Sequence, residues 1–207
     1  MNEEMIKSKY DLNGRRHAIT LFVQMILVVI GIILCVLELT TGTTNNMISA
    51  DVLVMFLLIT GYSLVGYKYP YISVRMLLFL IAGLDLIATA IMMSRGIIGL
   101  HILPVFAINV LLIIAALTVQ KNFRLSQTLL CICLVIDTLQ FILKLIFEPG
   151  QSVLYYAMSF QLLIMEGSLL LINYSHHLRQ QSIQSRLQNS AARSAEGGGA
   201  AAGDGEK

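Results

Sequence analysis

Charged residues are scarce in this sequence. Asp, Glu, Lys and Arg make up only 13% of its 207 residues, whereas hydrophobic residues make up 57%. Soluble globular domains contain about 25% charged residues, so this composition argues against a soluble domain and indicates a membrane protein. The net charge of +2 is small, and the basic residues form no cluster of the kind that binds nucleic acid. We therefore expect the lipid bilayer, and not nucleic acid, as a partner.

Cysteines and catalytic motifs are also scarce. Cys35, Cys131 and Cys133 all lie in apolar runs, and three cysteines in such positions do not form a disulfide framework. We interpret them as small buried hydrophobic residues. The sequence contains no G-x-S-x-G, H-E-x-x-H or Walker A motif. We therefore expect no enzyme, and we predict neither a cofactor nor a metal site.

Long apolar runs dominate the sequence instead. They predict an all-α integral membrane bundle of six helices, at about residues 18–37, 50–67, 74–94, 97–119, 125–147 and 152–175. The first run is longer than the apolar core of a signal peptide, about 7–15 residues, and no cleavage site follows it. The predicted organisation is a cytoplasmic segment at 1–17, the six-helix domain at 18–175, a cytoplasmic helical extension at 176–190 and a disordered tail at 191–207.

The placement of Lys and Arg predicts the orientation in the membrane. Only Arg95 and Lys144 lie on the outer side if both termini are cytoplasmic, and Lys207 is too far from the last span to count. The other eleven lie on the cytoplasmic side: Lys7, Lys9, Arg15, Arg16, Lys68, Arg75, Lys121, Arg124, Arg179, Arg186 and Arg193. Cytoplasmic loops carry the excess of Lys and Arg. We therefore expect both termini in the cytoplasm and the protein in the inner cell membrane.

The six predicted helices form three helical hairpins with a common plan. Each odd-numbered helix begins near an arginine: Arg16, Arg75 and Arg124. Each ends at a turn that contains glycine: Gly42, Gly96 and Gly150. The plan suggests a threefold internal repeat.

Three stretches within this plan resemble small six-helix bacterial membrane proteins of the HdeD type, which are associated with acid resistance. They are Ile59–Gly66 (ITGYSLVG), Ala82–Ile87 (AGLDLI) and Gln161–Leu169 (QLLIMEGSL). The resemblance covers about residues 16–180. It implies an architecture of three hairpins and a link to acid or envelope stress, but it implies no reaction.

Three carboxylates lie deep in the predicted spans. Asp85 is in the middle of the third run, with no other charged residue between Arg75 and Arg95. At about 1.5 Å per residue it lies roughly 15 Å from each membrane face, where a charge costs about 3 kcal/mol or more. Asp137 on the fifth helix and Glu166 on the sixth lie at a similar depth. The three acids can therefore share one level of the bundle.

A candidate intramembrane polar site follows from these depths. Its residues are Asp85, Asp137 and Glu166, together with Asn109 and Lys144. One interpretation is a polar cavity or proton-accepting site in which at least one carboxyl group is protonated near neutral pH. The alternative is that these side chains join neighbouring helices by hydrogen bonds worth about 0.6–2 kcal/mol each. For Lys144 itself, we expect the side chain to extend towards the outer interface near Glu148.

The remaining polar residues are expected to be solvated or interfacial. Glu38 and Asp51 flank the first outer loop and are expected to face water. His176 and His177 are interpreted as a solvated end of the sixth helix, and His101 as an interfacial residue.

Two classes of function fit the sequence. The first is a non-enzymatic inner-membrane protein of the HdeD type, linked to acid or envelope stress. The alternative is a small-molecule or proton-coupled transporter, or a substrate-binding membrane subunit, that uses the buried carboxylates. The chain also resembles the substrate-binding component of energy-coupling factor vitamin transporters in size, but Ala18 is followed by Phe22 where those have a second alanine. A homo-oligomer or a membrane partner is compatible with either class.

Overall fold

The computed structural model describes residues 3–42, 46–68, 74–96, 103–151 and 153–200, and all regular structure in these ranges is helical. The six helices are α1 (Glu3–Thr41), α2 (Asn46–Lys68), α3 (Val74–Ser94), α4 (Leu103–Thr118), α5 (Phe123–Phe147) and α6 (Val153–Ala200). The all-α class and the number of helices are as predicted.

Four of these helices are long and apolar enough to cross a membrane. The segments are Arg15–Thr41, Ile48–Val65, Val74–Ser94 and Phe123–Phe147. A crossing takes about 20 apolar residues, so their length and composition support a multi-pass membrane protein. α4 is also apolar but has only 16 residues. Residues 97–102, which were predicted to begin the fourth span, lie outside the described ranges.

Local sequence explains where several helices begin and end. The three odd-numbered helices are each followed, within three residues, by a glycine with positive φ: Gly42 at 63°, Gly96 at 68° and Gly150 at 90°. Glycine ends a helix in this conformation without the steric cost of a Cβ atom. At the start of α5, the Asn122 side chain accepts a hydrogen bond from the Leu125 N–H at 3.2 Å. This N-cap satisfies a backbone donor that the helix leaves free.

The helices form a closed ring in which each packs against the next along the chain, and α6 packs against α1. α6 also contacts α2 and α3, which makes it the most central helix. Its central position matches its composition, because α6 carries buried polar side chains on two faces: Gln161, Ser168 and Ser175 on one, and Glu166 and Asn173 on the other. A helix shielded by its neighbours can carry such residues without exposing them to hydrocarbon.

The interior and the outer surface of the bundle are both apolar. Phe56, Ile59, Leu78 and Ile81 are fully buried in the core. Large apolar residues on the outside are 60% or more exposed: Phe22, Met76, Ile87, Leu103 and Phe147. An apolar surface of this extent is unusual for a water-soluble protein and fits contact with lipid.

The two chain ends are more helical than the sequence predicted. α1 already begins at Glu3, within the expected cytoplasmic segment 1–17. α6 passes through the predicted extension at 176–190 and is described as far as Ala200, beyond the residue at which the tail was predicted to begin. The stretch from Ala191 to Glu196 consists mostly of good helix formers, in agreement with helix up to residue 196. Residues 201–207 lie outside the described ranges.

Candidate functional site

A cavity of about 680 Å³ lies between five of the six helices. Its walls come from α2, α3, α4, α5 and α6. Ligand pockets in proteins typically measure about 300–1,000 Å³, so this cavity is large enough for a small molecule. Most of its wall is apolar, including Met55, Met92, Met165, Ile81 and Leu112.

All five residues of the predicted polar site line this one cavity. Asp85 comes from α3, Asn109 from α4, Asp137 and Lys144 from α5, and Glu166 from α6. Residues from four helices thus line the same cavity. Thr89 lies one turn after Asp85 and also lines the cavity.

Asn109 is fully buried and is held in one orientation by two acceptors. Its Nδ2 donates to Oδ2 of Asp85 and to the Val105 carbonyl oxygen, the latter at 3.1 Å. Because both contacts require a donor, they assign the amide nitrogen and oxygen. The assignment leaves Asn109 Oδ1 buried and without a hydrogen-bond partner among the described residues.

Asp51 adds a further carboxyl group that the sequence analysis missed. It was expected to face water near the first outer loop, but it lines the cavity beside Asp85, and the two carboxyl groups interact. α2 begins at Asn46, so Asp51 lies in its second turn rather than in the loop. The helix was predicted to begin at about residue 50, four residues after its observed start. Asp51 was therefore assigned to the edge of the loop.

Asp137 and Glu166 form a second pair of carboxyl groups. The two side chains interact across the α5–α6 contact, and Gln140 Nε2 donates to Asp137 Oδ1 at 3.2 Å. Glu166 is only 2% exposed, and neither of its oxygens has a hydrogen-bond partner of good geometry among the described residues. Asp137 also interacts electrostatically with Asp85, so the two pairs act on each other.

Lys144 is partly buried at one end of the cavity. Its Nζ donates to Ser159 Oγ on α6 at 3.3 Å. Glu148, near which the side chain was expected to reach the interface, lines the cavity as well. Lys144 is therefore part of the cavity wall and contacts α6, and its extension towards the outer interface stays a prediction.

Glu38 is the other acid whose environment was predicted wrongly. It is fully buried, and its Oε2 accepts a hydrogen bond from Ser49 Oγ at 3.1 Å. Gln161 of α6 lies beside the same carboxyl group. Glu38 does not line the cavity; it joins the end of α1 to α2 and α6, where the packing of α6 covers it.

Acidic residues outnumber basic ones in the cavity wall. Of the described lining residues, one is basic, Lys144, and five are acidic: Asp51, Asp85, Asp137, Glu148 and Glu166. Two carboxyl groups in direct contact cannot both be ionised at low cost, because like charges repel strongly where the dielectric constant is low. The cavity is therefore suited to hold protons or a cation.

Polar contacts that only join helices occur elsewhere in the bundle. Gln24 Nε2 donates to Ser63 Oγ at 2.6 Å between α1 and α2. Asn173 Nδ2 donates to Gln127 Oε1 at 2.8 Å between α6 and α5. These pairs lie outside the cavity wall. They match the alternative interpretation, in which buried polar residues only join neighbouring helices. The cavity acids differ from these pairs because they bring like charges together.

The expectations for the histidines and cysteines need correction. His177 is not fully solvated: its ring stacks on Phe123 with centroids 3.7 Å apart and planes 3° apart. Burial lowers the pKa of His177 and of His176, and for His176 the nearby Arg179 adds to the effect. Cys35 and Cys133 are buried as expected.

Cys131 is exposed on the outer surface of α5, so the expectation that all three cysteines are buried is wrong for this one. Cys131 and Cys133 are two residues apart and hence nearly opposite on a helix. His101 lies outside the described residues.

No protein-family model matches the chain, and neither a curated protein sequence nor a solved structure matches it. The fold and the cavity therefore define its class on their own: a multi-pass, all-α membrane protein with an acidic cavity between its helices.

Proposed function

We propose that this chain is a small-solute-binding, proton-coupled membrane protein whose cavity is its working site. The observation that carries the proposal is the cavity of about 680 Å³, into which four helices bring the paired carboxyl groups. A packing role alone would favour apolar side chains there, because a buried charge near the bilayer centre costs about 3 kcal/mol or more. Acids inside a membrane most often mark a pathway for ions or protons.

The proposed arrangement in the membrane has six spans, three hairpins and both termini in the cytoplasm. The excess of Lys and Arg at the expected inner ends supports it. The cavity lining supports it too. The ends of odd-numbered helices contribute Met92 and Phe147, and the starts of even-numbered helices contribute Ile48, Pro104 and Ser159 to the same cavity wall. In this arrangement α4 and the first half of α6 complete the six spans.

The carboxyl pairs supply the proposed proton exchange. Asp51 and Asp85 form one pair, and Asp137 and Glu166 the other. A proton shared within a pair removes the repulsion between its two members, and loss of that proton favours entry of another positive charge. The Asn109 amide donates to Asp85 and so stabilises the carboxylate form of this residue.

The test is proton flux in liposomes that contain the purified chain and a pH-sensitive dye. We expect a flux driven by an imposed pH gradient, which falls to the level of protein-free liposomes in Asp85→Asn. The matched control is Glu38→Gln, which neutralises a buried carboxyl group outside the cavity wall and should keep the flux. The proposal fails if the unmodified chain carries no protons, or if Asp85→Asn leaves the flux unchanged.

A role in acid or envelope stress, of the HdeD type, is the physiological setting that we propose for this activity. The hairpin plan and the three similar stretches support it, as do carboxyl pairs whose proton occupancy depends on pH. A deletion of the gene should then change survival at low pH without abolishing the uptake of any nutrient. Equal survival of deletion and parent strains across acid shocks would refute this setting.

A further inference from the structure

We propose that the ligand of the cavity is a small organic cation, namely a protonated amine with an apolar body. The inference rests on the proposed function and names the substrate class of the same site. Three independent features of the cavity lead to it: its charge, a buried acceptor left without a partner, and the chemistry of the remaining wall.

The charge of the cavity selects a cation. The two carboxyl pairs interact with each other through Asp85 and Asp137. Lys144 lies seven residues beyond Asp137 on α5, which is about 10 Å along the helix axis, and its Nζ donates to Ser159. The one lysine of the wall therefore does not fill the space between the acids.

A buried acceptor in the cavity wall is left without a partner among the described residues. It is Oδ1 of Asn109, whose Nδ2 donates to Asp85 and to the Val105 carbonyl oxygen. A buried acceptor without a partner is costly, and an ammonium group brings three donors and a positive charge. A carboxylate or phosphate ligand brings no donor and would be repelled by the acids.

The rest of the wall favours an organic body over a bare metal ion. Met55, Met92 and Met165 line the cavity together with Ile81 and Leu112, and methionine adapts well to apolar ligands of different shape. Among the described residues, no group of three or more His, Cys, Asp or Glu side chains is arranged to hold a metal ion. The acids are paired, which suits a single ammonium group.

Binding of the amine then displaces a proton. The ligand enters as an ammonium ion and keeps its protons, while one carboxyl pair releases its shared proton to the solution. The pair gains one negative charge and the ligand brings one positive charge, so the net charge of the occupied cavity is unchanged. Binding of the amine thereby adds a proton release to the proton exchange that the carboxyl pairs support without it.

The test is isothermal titration calorimetry on the full chain in lipid nanodiscs near neutral pH, with three ligands of equal length. We expect saturable binding of n-hexylamine hydrochloride, and none of 1-hexanol or sodium hexanoate beyond the heat seen with empty nanodiscs. Titrations in two buffers of different protonation enthalpy should show about one proton released per amine bound.

Two variants and a matched control locate the site. Asn109→Ala and Glu166→Gln should each weaken amine binding roughly tenfold to a hundredfold, because the first removes an acceptor and the second removes a negative charge that attracts the ammonium group. Asn173→Ala removes an equally buried amide outside the cavity wall and should leave the affinity within about twofold. Circular dichroism identifies variants that fail to fold. If they do, the comparison of the three ligands on the unmodified chain still tests the proposed substrate class.

The substrate class is wrong if hexanoate or hexanol binds as well as the amine, if magnesium chloride binds in its place, or if no amine binds. It is also wrong if the amine binds without releasing a proton. Failure of the proposed function gives a different result, namely the absence of any Asp85-dependent proton flux. Flux without amine binding would refute only the substrate class.

Discussion

Asn109 shows how one side chain can organise a site in the interior of a membrane bundle. Its amide donates to Asp85 and to the backbone of its own helix. The orientation that results leaves Oδ1 of this cavity-wall residue buried and without a hydrogen-bond partner among the described residues. An apolar residue of similar size would fill the space but leave the Asp85 carboxylate without this donor.

His177 gives a prediction at the residue scale. Its folded pKa lies below the ordinary value of 6.5 because burial against Phe123 disfavours the charged ring. The unfolded chain therefore binds more protons, so the stability contributed by neutral His177 is present above about pH 6.5 and is lost as the pH falls below it. We expect the melting temperature, followed by circular dichroism in detergent, to drop between about pH 7.5 and about pH 5.5.

The control for this prediction is His177→Phe, which keeps the stack on Phe123 and removes the titration. It should lose less stability over the same pH interval than the unmodified chain. His176 and Arg179 of α6 and His17 of α1, which contacts Ser175, are further cationic groups near this end of the bundle, and all three remain in the variant. An identical pH dependence in the two proteins would show that His177 has no part in it.

The contact between α1 and α2 depends on a glycine that the sequence analysis did not single out. A Cβ atom at Gly31 would lie 2.2 Å from the Phe56 ring, which is fully buried. The absence of a side chain therefore lets the two helices approach, as small residues do between membrane helices. The pattern of apolar residues within α1 does not reveal this contact, because it depends on the partner helix.

We predict that Gly31→Ala lowers the free energy of unfolding by about 1–3 kcal/mol, since the buried ring must move. The measurement is unfolding in mixed micelles by titration with sodium dodecyl sulfate, followed by circular dichroism. Gly83→Ala is the matched control: nothing lies within 4 Å of its Cβ position, so it should be neutral or stabilise by up to about 1 kcal/mol.

A second substitution tests the cause of this effect. Phe56→Leu in the Gly31→Ala background should recover part of the lost stability, because the smaller side chain leaves room for the new methyl group. Equal stability of Gly31→Ala and Gly83→Ala would contradict the close approach of α1 and α2.

At the scale of the whole molecule, the ring of helices separates two environments. The outer surface is apolar, and the apolar interior also encloses the acidic cavity and the buried polar side chains of α6. The helix with the most buried polar side chains is thus also the most central one.

The orientation of the whole molecule gives a further prediction. Alkaline phosphatase fused after Lys207 should be inactive in a bacterial host, and green fluorescent protein fused there should fluoresce, because both termini are expected in the cytoplasm. Phosphatase fused after Gly42 or after Gly150 should be active. Phosphatase activity at the C-terminus would overturn the proposed orientation.

The sequence alone determined the all-α class of the protein, and it predicts the depth of its polar residues. Long apolar runs with few charges predict helices in a bilayer, and a rise of about 1.5 Å per residue assigns Asp85, Asp137 and Glu166 to one level. Glycines at Gly42 and Gly96 marked helix ends because the backbone conformation there is local. These features depend on neighbours in the chain, and the structure agrees with the helical class and with the helix ends at these glycines.

Only the tertiary structure decided which faces meet. Asp51 lines the cavity and Glu38 is buried, although both are adjacent to a loop. The two residues are covered by α3 and α6, and helical spacing within one segment cannot reveal which helix packs against it. The same holds for the close approach at Gly31 and for the unpaired oxygen of Asn109. Burial is a property of packing between segments, so the acidic cavity became visible only when all six helices were assembled.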